Sequence, residues 1–163
     1  LLQVCMANKD YLQHLDTIFG NLGTGVKFNQ DQGGNHETLY QFRTRRHPEL
    51  NKYEEWYENG EKSIPSDLEL TPTILKHWYC GDGTLSKGEA VEISAAADER
   101  RVEVILNLFD QAGLPEPRVN DGSSTYNDSV KKFRFVKSDS VNVFEFMGSP
   151  PPGFEYKWVE SVK

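Results

Sequence analysis

The residue best suited to chemistry is Asp82, which stands between two glycines in the stretch LKHWYCGDG, residues 75 to 83. If this stretch is the end of a helix, the partial negative charge there disfavours an aspartate by roughly 0.3 to 1 kcal/mol. One interpretation is that Asp82 and Gly83 form a turn at a hairpin corner. The other is that Asp82 and a nearby terminal carbonyl hold a divalent cation, which neutralises both negative groups.

A helix is predicted to position this aspartate. Thr71 is a typical N-cap residue, and Pro72 suits the first helical position, where its missing N–H costs no hydrogen bond. Gly81 and Gly83 mark the end of the helix. Apolar residues at helical spacing give it a wide buried face, and they are Ile74, Leu75, Trp78 and Tyr79.

The chain contains an internal repeat. NKDYLQHLDTIFGNLG (8 to 23) has apolar residues at helical spacing, Asn8 at the N-cap and Gly23 at its end. DERRVEVILNLFDQAG (98 to 113) repeats this pattern from Asp98 to Gly113. A short extended run precedes each copy, QVCMA in the first and AVEISA in the second. We therefore expect two units of related structure, each containing one of these helices.

A hairpin is predicted after each repeated helix. In the first copy a turn with Gly33 and Gly34 joins the runs TGVKFNQ and TLYQFRTR. In the second copy a turn around Gly122 lies between the runs EPRVND and VKKFRFVK. Short helical stretches then follow, and each copy closes with a lysine-containing segment, EKSIP or FEYKW. The helix from Thr71 leads into the second copy, so an equivalent helix is expected upstream of Leu1, where the chain begins without Met.

The second strand of each hairpin is predicted to have one polar face. Gln41, Arg43 and Arg45 alternate with Tyr40, Phe42 and Thr44, and Lys132 and Arg134 alternate with Phe133 and Phe135. Arg, Lys and Gln on an open sheet have the chemistry to contact phosphates and base edges. Lys27, Ser86, Lys87 and Arg118 extend this candidate surface. A polar outer face is also the ordinary condition of a half-exposed sheet.

Composition limits the classes of function. The chain of 163 residues carries 18 Lys and Arg against 25 Asp and Glu, a net charge of −7, so any nucleic-acid surface must be local. No apolar run is long enough to cross a bilayer and no secretory signal begins the chain, so a cytoplasmic location is expected. Cys5 and Cys80 have no metal-binding or redox spacing, which argues against a zinc site or a disulfide framework.

The motifs resemble those of the LAGLIDADG homing endonucleases. Residues 75 to 83 align without gaps with the nine-residue helix motif of that family, sharing Leu75, Asp82 and Gly83. The run WYENGEKSIPSDLELTPTILKHWYCGDGTL looks like the segment that joins the two halves of single-chain members. The closing FEYKW resembles the segment that ends the second half. The likeness covers nearly the whole chain.

The resemblance implies an α+β fold, a pseudo-twofold repeat of αββαββα units with concave antiparallel sheets. Residues 1–66 would be the remainder of a first half that lacks its motif helix, and residues 67–163 the second half. The activity implied is sequence-specific cleavage of double-stranded DNA with a long recognition site, by an enzyme encoded within an intron or intein. The location would be cytoplasmic or nucleoid-associated, or organellar in a eukaryote.

The resemblance also implies roles for individual residues. Asp82 would bind Mg²⁺ or Mn²⁺, with a backbone carbonyl near Gly81 as a second ligand, and Lys62 and Lys157 would be active-site lysines. Upstream residues or a second chain would supply the missing first motif. Many members carry a polar residue on the first strand of each half, and here Cys5 and Ala95 lie at or near those positions.

Other functions remain open. An RNA-splicing maturase or a DNA-binding protein that does not cleave would use the same fold. An unrelated α/β domain with a chance motif would show no repeat.

Overall fold

The computed structural model describes residues 1–30, 38–58, 61–65, 67–122 and 130–159, without the side chains of residues 55, 58, 61 and 62. The protein has the predicted α+β class, with helices packed on antiparallel sheets. It divides into two compact units. Unit 1 is Leu1–Ser63 with Pro151–Phe154, and unit 2 is Ile64–Pro150 with Glu155–Lys163.

Unit 1 is built on a three-stranded antiparallel sheet. Its elements are β1 (Gln3–Met6), α1 (Lys9–Phe19), a 3₁₀ turn (Gly20–Leu22), β2 (Gly23–Gln30), β3 (Leu39–Thr44), a 3₁₀ helix (Pro48–Trp56), β4 (Tyr57–Glu58) and β5 (Glu61–Lys62). The sheet has the order β1-β3-β2, and β4 and β5 form a separate pair. The predicted turn at Gly33 and Gly34 lies outside the described residues.

Unit 2 is built on a four-stranded antiparallel sheet. Its elements are α2 (Pro72–Asp82), β6 (Gly83–Leu85), β7 (Val91–Ala96), α3 (Glu99–Gln111), β8 (Arg118–Asp121), β9 (Val130–Arg134), α4 (Lys137–Met147) and a 3₁₀ turn (Glu155–Lys157). The strand order is β6-β7-β9-β8. From α2 to α4 the order of elements is αββαββα, which is the unit that the resemblance implies.

The predicted N-caps are present at the three helices. The side chains of Asn8, Thr71 and Asp98 accept hydrogen bonds from the backbone N–H groups of Tyr11, Ile74 and Arg101 at 3.0, 3.2 and 2.8 Å. Each cap satisfies one N–H group that has no partner within the helix. The sequence pattern therefore locates the beginnings of α1, α2 and α3.

The end of α1 differs from the prediction. The α-helix ends at Phe19 and Gly20 is its C-cap, with φ +51°, whereas the sequence suggests Gly23. The left-handed conformation at Gly20 costs a glycine little, and its N–H bonds the carbonyls of Asp16 and Thr17. Gly23 instead begins β2 after the 3₁₀ turn. The helix α3 ends as expected, with Gly113 at φ +71°.

Each sheet packs its apolar face against its helices. In unit 1 the core contains Tyr11, Leu12, Leu15 and Phe42, and Phe19 contacts Phe42 with ring centroids 5.6 Å apart. In unit 2 the largest fully buried side chains include Tyr79, Phe109, Phe133, Phe135, Phe144 and Trp158. The opposite face of each sheet is left for polar residues.

A segment from late in the chain completes unit 1. The Asn8 amide donates to the carbonyl of Gly153 at 2.6 Å, and the rings of Tyr11 and Phe154 meet edge to face at 4.9 Å. Gly153 has φ +85°, and a Cβ there would lie 2.2 Å from Asn8 Oδ1. Only glycine therefore fits this position without displacing the N-cap of α1.

Among the helices that the structure describes, none is long and apolar enough to cross a membrane.

Candidate active site and nucleic-acid interface

Asp82 is the last residue of α2, and it is exposed. Gly83 follows at φ −97° and ψ 156°, an extended conformation, and it is also the first residue of β6. The helix therefore runs directly into a strand. The interpretation of Asp82 and Gly83 as a hairpin corner is wrong, because neither residue lies in such a turn.

The two glycines beside Asp82 differ in their surroundings. A Cβ on Gly83 would lie 2.1 Å from Cδ2 of Tyr79 and 2.4 Å from the Tyr79 carbonyl oxygen. A Cβ on Gly81 would meet nothing within 4 Å. Gly83 is thus required by the packing of the Tyr79 ring, whereas Gly81 is exposed and leaves open space beside Asp82.

Lys157 binds the carbonyl end of α2. Its Nζ donates to the carbonyl oxygens of Cys80 and Gly83 at 2.8 Å each, and to that of Tyr79 at 3.4 Å. Carbonyls in the last turn of a helix have no partner within the helix, and a cation there also offsets the helix dipole. The ammonium of Lys157 therefore compensates for much of the negative potential at the helix end that carries Asp82.

Tyr79 fixes the segment that carries Lys157. Its hydroxyl donates to the backbone carbonyl of Lys157 at 2.9 Å, and Lys157 Nζ lies 5.8 Å from the centre of the Tyr79 ring. The neighbouring Trp158 packs edge to face on Tyr79 at 5.3 Å and donates from its indole N–H to the Gly148 carbonyl. We refer to Tyr79, Gly83 and Lys157 as the helix-end clasp. Sequence reasoning identifies Tyr79 only as an apolar helix residue.

Burial alters the acidity of the groups around the clasp. It lowers the pKa of Lys157, and the attraction of the thiolate form of Cys80 and of the Asp82 carboxylate acts in the opposite direction. Burial raises the pKa of the Cys80 thiol to about 12, although the positive charges of Lys157 and Lys76 lower it. Burial also raises the pKa of Tyr79. Cys80 and Tyr79 are therefore neutral at physiological pH, and their protonated forms are favoured by the fold.

Asp82 and Gly81, whose carboxylate and carbonyl are the predicted metal ligands, are the last two residues of α2, and their role as ligands stays a prediction. Asp82 presents an exposed carboxylate, and three neighbouring carbonyls, those of Tyr79, Cys80 and Gly83, are bound by Lys157. Across the described residues, no group of three or more His, Cys, Asp and Glu side chains is close enough to hold a metal ion. One carboxylate fits Mg²⁺ only where water, phosphate or another acid supplies the remaining oxygens.

Lys62 is placed only by its backbone. It lies on β5 opposite Tyr57 of β4, in unit 1, and its side chain is outside the described part of the chain. Its predicted role as an active-site lysine stays a prediction.

The sheet of unit 1 has the predicted alternation. Phe42 and Thr44 are buried, while Arg43 and Arg45 are exposed and Gln41 is half-buried. Backbone pairing places further side chains on the face that carries Gln41 and Arg43: Gln3 lies opposite Arg43, and Cys5 and Lys27 lie on either side of Gln41. The amide of Asn29 also contacts Cys5 Sγ at 3.1 Å.

The sheet of unit 2 has an equivalent polar face. Phe133 and Phe135 are buried, while Arg134 is exposed and Lys132 is half-buried. Arg134 lies between Glu92 and Arg118, and Lys132 lies between Ser94 and Asn120. Lys132 Nζ is 3.2 Å from a carboxylate oxygen of Glu92.

The strand register defines which residue of β7 corresponds to Cys5. Ala95 pairs with Lys131 and therefore lies on the opposite face from Lys132. Ser94 is the residue that corresponds to Cys5, because Ser94 pairs with Lys132 as Cys5 pairs with Gln41. Unit 2 thus does carry a polar residue at this position of its strand.

Ser86 and Lys87 lie in the turn after β6. Ser86 Oγ accepts a hydrogen bond from the Ala90 N–H at 3.3 Å, so this hydroxyl helps to close the turn. Lys87 is exposed. The predicted surface residues are therefore distributed over both units, with Lys27, Gln41, Arg43 and Arg45 in unit 1 and Ser86, Lys87, Arg118, Lys132 and Arg134 in unit 2.

Two comparisons with known proteins found similar sequences. The sequence profile of the LAGLIDADG DNA endonuclease family matches residues 1–127. The uncharacterized protein MJ1098 of Methanocaldococcus jannaschii is 28% identical over 174 aligned positions, which cover 93% of this chain and 66% of the relative. The chain thus spans slightly less than two thirds of that relative's length.

Proposed function

Because this chain belongs to the LAGLIDADG DNA endonuclease family, we propose that it acts in sequence-specific cleavage of both strands of DNA, by hydrolysis with Mg²⁺ or Mn²⁺. The observation that carries the proposal is the exposed Asp82 at the end of α2, where Lys157 binds the neighbouring carbonyls. Because a helix C-terminus carries partial negative charge, a carboxylate there is stabilised when a cation lies nearby. The host gene would lie within an intron or an intein.

The polar faces of the two sheets support DNA as the substrate. Arg43 and Arg134 are exposed on strands whose other faces are buried, and Lys27 and Arg118 are exposed on the neighbouring strands β2 and β8. Guanidinium and ammonium groups on such a surface bind phosphates and reach base edges in the major groove. Because the whole chain has a net charge of −7, the attraction comes from these faces and not from the overall charge. The target would be double-stranded DNA with a long recognition site.

Asp82 would hold the metal ion, with the carbonyl of Gly81 as a second oxygen donor. When bound, the ion polarises the scissile phosphate and lowers the pKa of an attacking water. A second acid is needed to complete a site for two ions, and residues encoded upstream or a second chain would supply it. The two halves of the fold would be residues 1–66 and 67–163.

The residues of the clasp would position Asp82. Lys157 binds the carbonyls of Tyr79 and Cys80 in the last turn of α2 and that of Gly83 just after it, and the Tyr79 hydroxyl binds the backbone carbonyl of Lys157. The helix end is therefore joined to this segment by both side-chain and backbone groups of Lys157. The positive charge of Lys157 would also favour the approach of a phosphate. Lys62 would have the corresponding role in the first half.

The test is cleavage of a plasmid library with a randomised insert by the full-length protein in Mg²⁺. Wild-type protein should linearise plasmids that share a sequence, whereas Asp82→Asn should bind the same plasmids and leave them intact. Equal cleavage by both proteins would remove Asp82 from the mechanism. Binding without cleavage by the wild type would favour a DNA-binding protein, and binding to RNA alone would favour a maturase.

A further inference from the structure

Glu92 is an acid on the polar face of the unit 2 sheet. The register places it beside Thr84 of β6 and Arg134 of β9, on the face that also carries Lys132 and Arg118. Its side chain is 18% exposed, against 39% for Lys132. Among the strand residues of this face, all of which the structure describes, Glu92 is the one carboxylate. A carboxylate opposes phosphate binding, so electrostatic attraction to DNA does not account for it.

Glu92 and Lys132 present a paired acceptor and donor. They lie on neighbouring strands at diagonal positions, since the direct partner of Lys132 on β7 is Ser94, and Lys132 Nζ is 3.2 Å from the Glu92 carboxylate. An ammonium has three N–H donors, and a carboxylate accepts more than one hydrogen bond. Both groups therefore keep capacity for a ligand while they contact each other.

The edge of a G·C pair has the complementary pattern. In the major groove guanine offers O6 and N7 as acceptors and cytosine offers the N4 amino group as a donor. Guanine O6 and cytosine N4 are hydrogen-bonded to each other at about 3 Å, which is close to the separation of the Lys132 and Glu92 atoms. A donor and an acceptor at this separation can each contact the opposite type of group on one base pair.

The sheet of unit 1 lacks this charged pair. Gln3 has the register position of Glu92, opposite Arg43 in one sheet and opposite Arg134 in the other, and Gln41 has that of Lys132. At these two positions unit 1 therefore carries amide side chains, whereas unit 2 carries a carboxylate and an ammonium group. Glutamine pairs preferentially with adenine. The two faces are therefore chemically different where their folds correspond.

From this comparison we propose that Glu92 and Lys132 act together as a specificity-determining pair that recognises one G·C base pair, with Lys132 on guanine and Glu92 on cytosine N4. The proposal rests on the DNA binding proposed above. The alternative role, an ion pair that only stabilises the sheet, would give no base preference.

The experiment is selection of double-stranded oligonucleotides from a randomised library by the full-length protein, for wild type, Glu92→Gln and Lys132→Gln. The wild-type profile should contain one position with a G·C preference of roughly five- to a hundred-fold, and both variants should lose it there while the other positions persist. Glu89→Gln is the matched control, because Glu89 pairs with Lys137 in the turn and helix outside the sheet.

Two results would contradict the proposed role of Glu92 and Lys132 in base recognition. In one, Glu92→Gln retains every base preference and changes affinity uniformly, which indicates an electrostatic effect only. In the other, the wild type enriches a sequence in which no G·C position depends on either residue. If the wild type binds no oligonucleotide, the proposed DNA-binding function fails as well, and this outcome is distinct from the first two.

Discussion

Lys157 Nζ lies 2.8 Å from the carbonyl oxygen of Cys80, a residue 77 positions earlier in the chain. With the bonds to Gly83 and Tyr79, this contact makes a lysine side chain the C-terminal cap of α2. The cap explains how an aspartate is accommodated at the end of this helix. It also assigns Lys157 a structural contribution that can be measured separately from any effect on DNA cleavage.

Lys157→Met should destabilise the protein. Methionine keeps an apolar stem of similar length but removes the donors to three carbonyls, and lost hydrogen bonds from a charged group cost about 1.5 to 3 kcal/mol. Urea unfolding measures the loss. Lys137→Met is the control, because Lys137 is largely exposed and its change should stay within about 0.5 kcal/mol. Equal losses in both variants would contradict the cap.

Tyr79→Phe should lower the free energy of unfolding by about 1 kcal/mol. The substitution retains the ring that packs on Trp158 and Phe144, and it removes only the hydroxyl that donates to the Lys157 carbonyl. The measurement is urea unfolding beside Tyr57→Phe, whose ring is more than half exposed and whose substitution should be neutral. An unchanged Tyr79→Phe variant would show that this hydrogen bond adds nothing to stability.

Gly83→Ala and Gly81→Ala should have opposite effects. Alanine at 83 places a methyl group 2.4 Å from the Tyr79 carbonyl oxygen and forces the helix end to move, at a cost of about 1 to 3 kcal/mol. Alanine at 81 meets no atom within 4 Å, and removal of a glycine from a helix is neutral or stabilises by up to about 1 kcal/mol. Thermal unfolding compares the two variants directly, and a more stable Gly83→Ala protein would contradict the packing argument.

Stability should decrease above pH 9. Burial raises the pKa of Cys80 from 9.0 to about 12, so the folded protein retains a proton that the unfolded chain releases in this interval. The stabilisation is complete below pH 9 and is lost as pH rises, with a limiting slope of about 1.4 kcal/mol per pH unit for one proton. Tyr79 acts in the same direction at higher pH, whereas the lowered pKa of Lys157 acts in the opposite direction.

The contribution of Cys80 can be isolated by urea unfolding at pH values from about 8 to 11. Cys80→Ala should show a shallower decline than the wild type, and the exposed Cys5→Ala should follow the wild type. If the free energy of unfolding declines equally with pH in all three proteins, the buried thiol does not cause the loss of stability above pH 9.

If the polar faces bind DNA, Arg134→Gln should reduce the salt dependence of binding. One phosphate contact contributes about 1 to the slope of log affinity against log salt concentration. Filter binding or fluorescence anisotropy at several salt concentrations measures the slope. Lys52→Gln is the control, since Lys52 is exposed on the 3₁₀ helix and outside both sheets. Identical slopes for Arg134→Gln and wild type would exclude a phosphate contact by Arg134.

Local sequence signals predict much of the fold. The beginnings of α1, α2 and α3 follow from Asn8, Thr71 and Asp98, because an N-cap acts on a residue three positions away. The polar and apolar faces of β3 and β9 follow from alternation, which is also local. The predicted end of α1 is wrong because Gly20 and Gly23 are both glycines, and sequence spacing does not reveal which one adopts positive φ.

The arrangement of the site depends on contacts that sequence spacing does not encode. The resemblance implies an active-site lysine at position 157, but its bonds to the end of α2 join residues more than 70 positions apart. The sequence alignment places the first-strand position of unit 2 at or near Ala95, and only the pairing with β9 shows that Ser94 is the residue corresponding to Cys5. Both features depend on contacts between residues that are far apart in the chain, so local sequence patterns do not predict them.

The return of Pro151–Phe154 to unit 1 has a practical meaning for dissecting the protein. A fragment that stops at Ser63 would lose the carbonyl of Gly153 that Asn8 binds and the ring of Phe154 against Tyr11. A single cut between Ser63 and Ile64 would thus not release two self-sufficient pieces. Unit 1 is formed by two separate stretches of the chain. If it is expressed alone, the segment Pro151–Phe154 must be included so that α1 keeps these contacts.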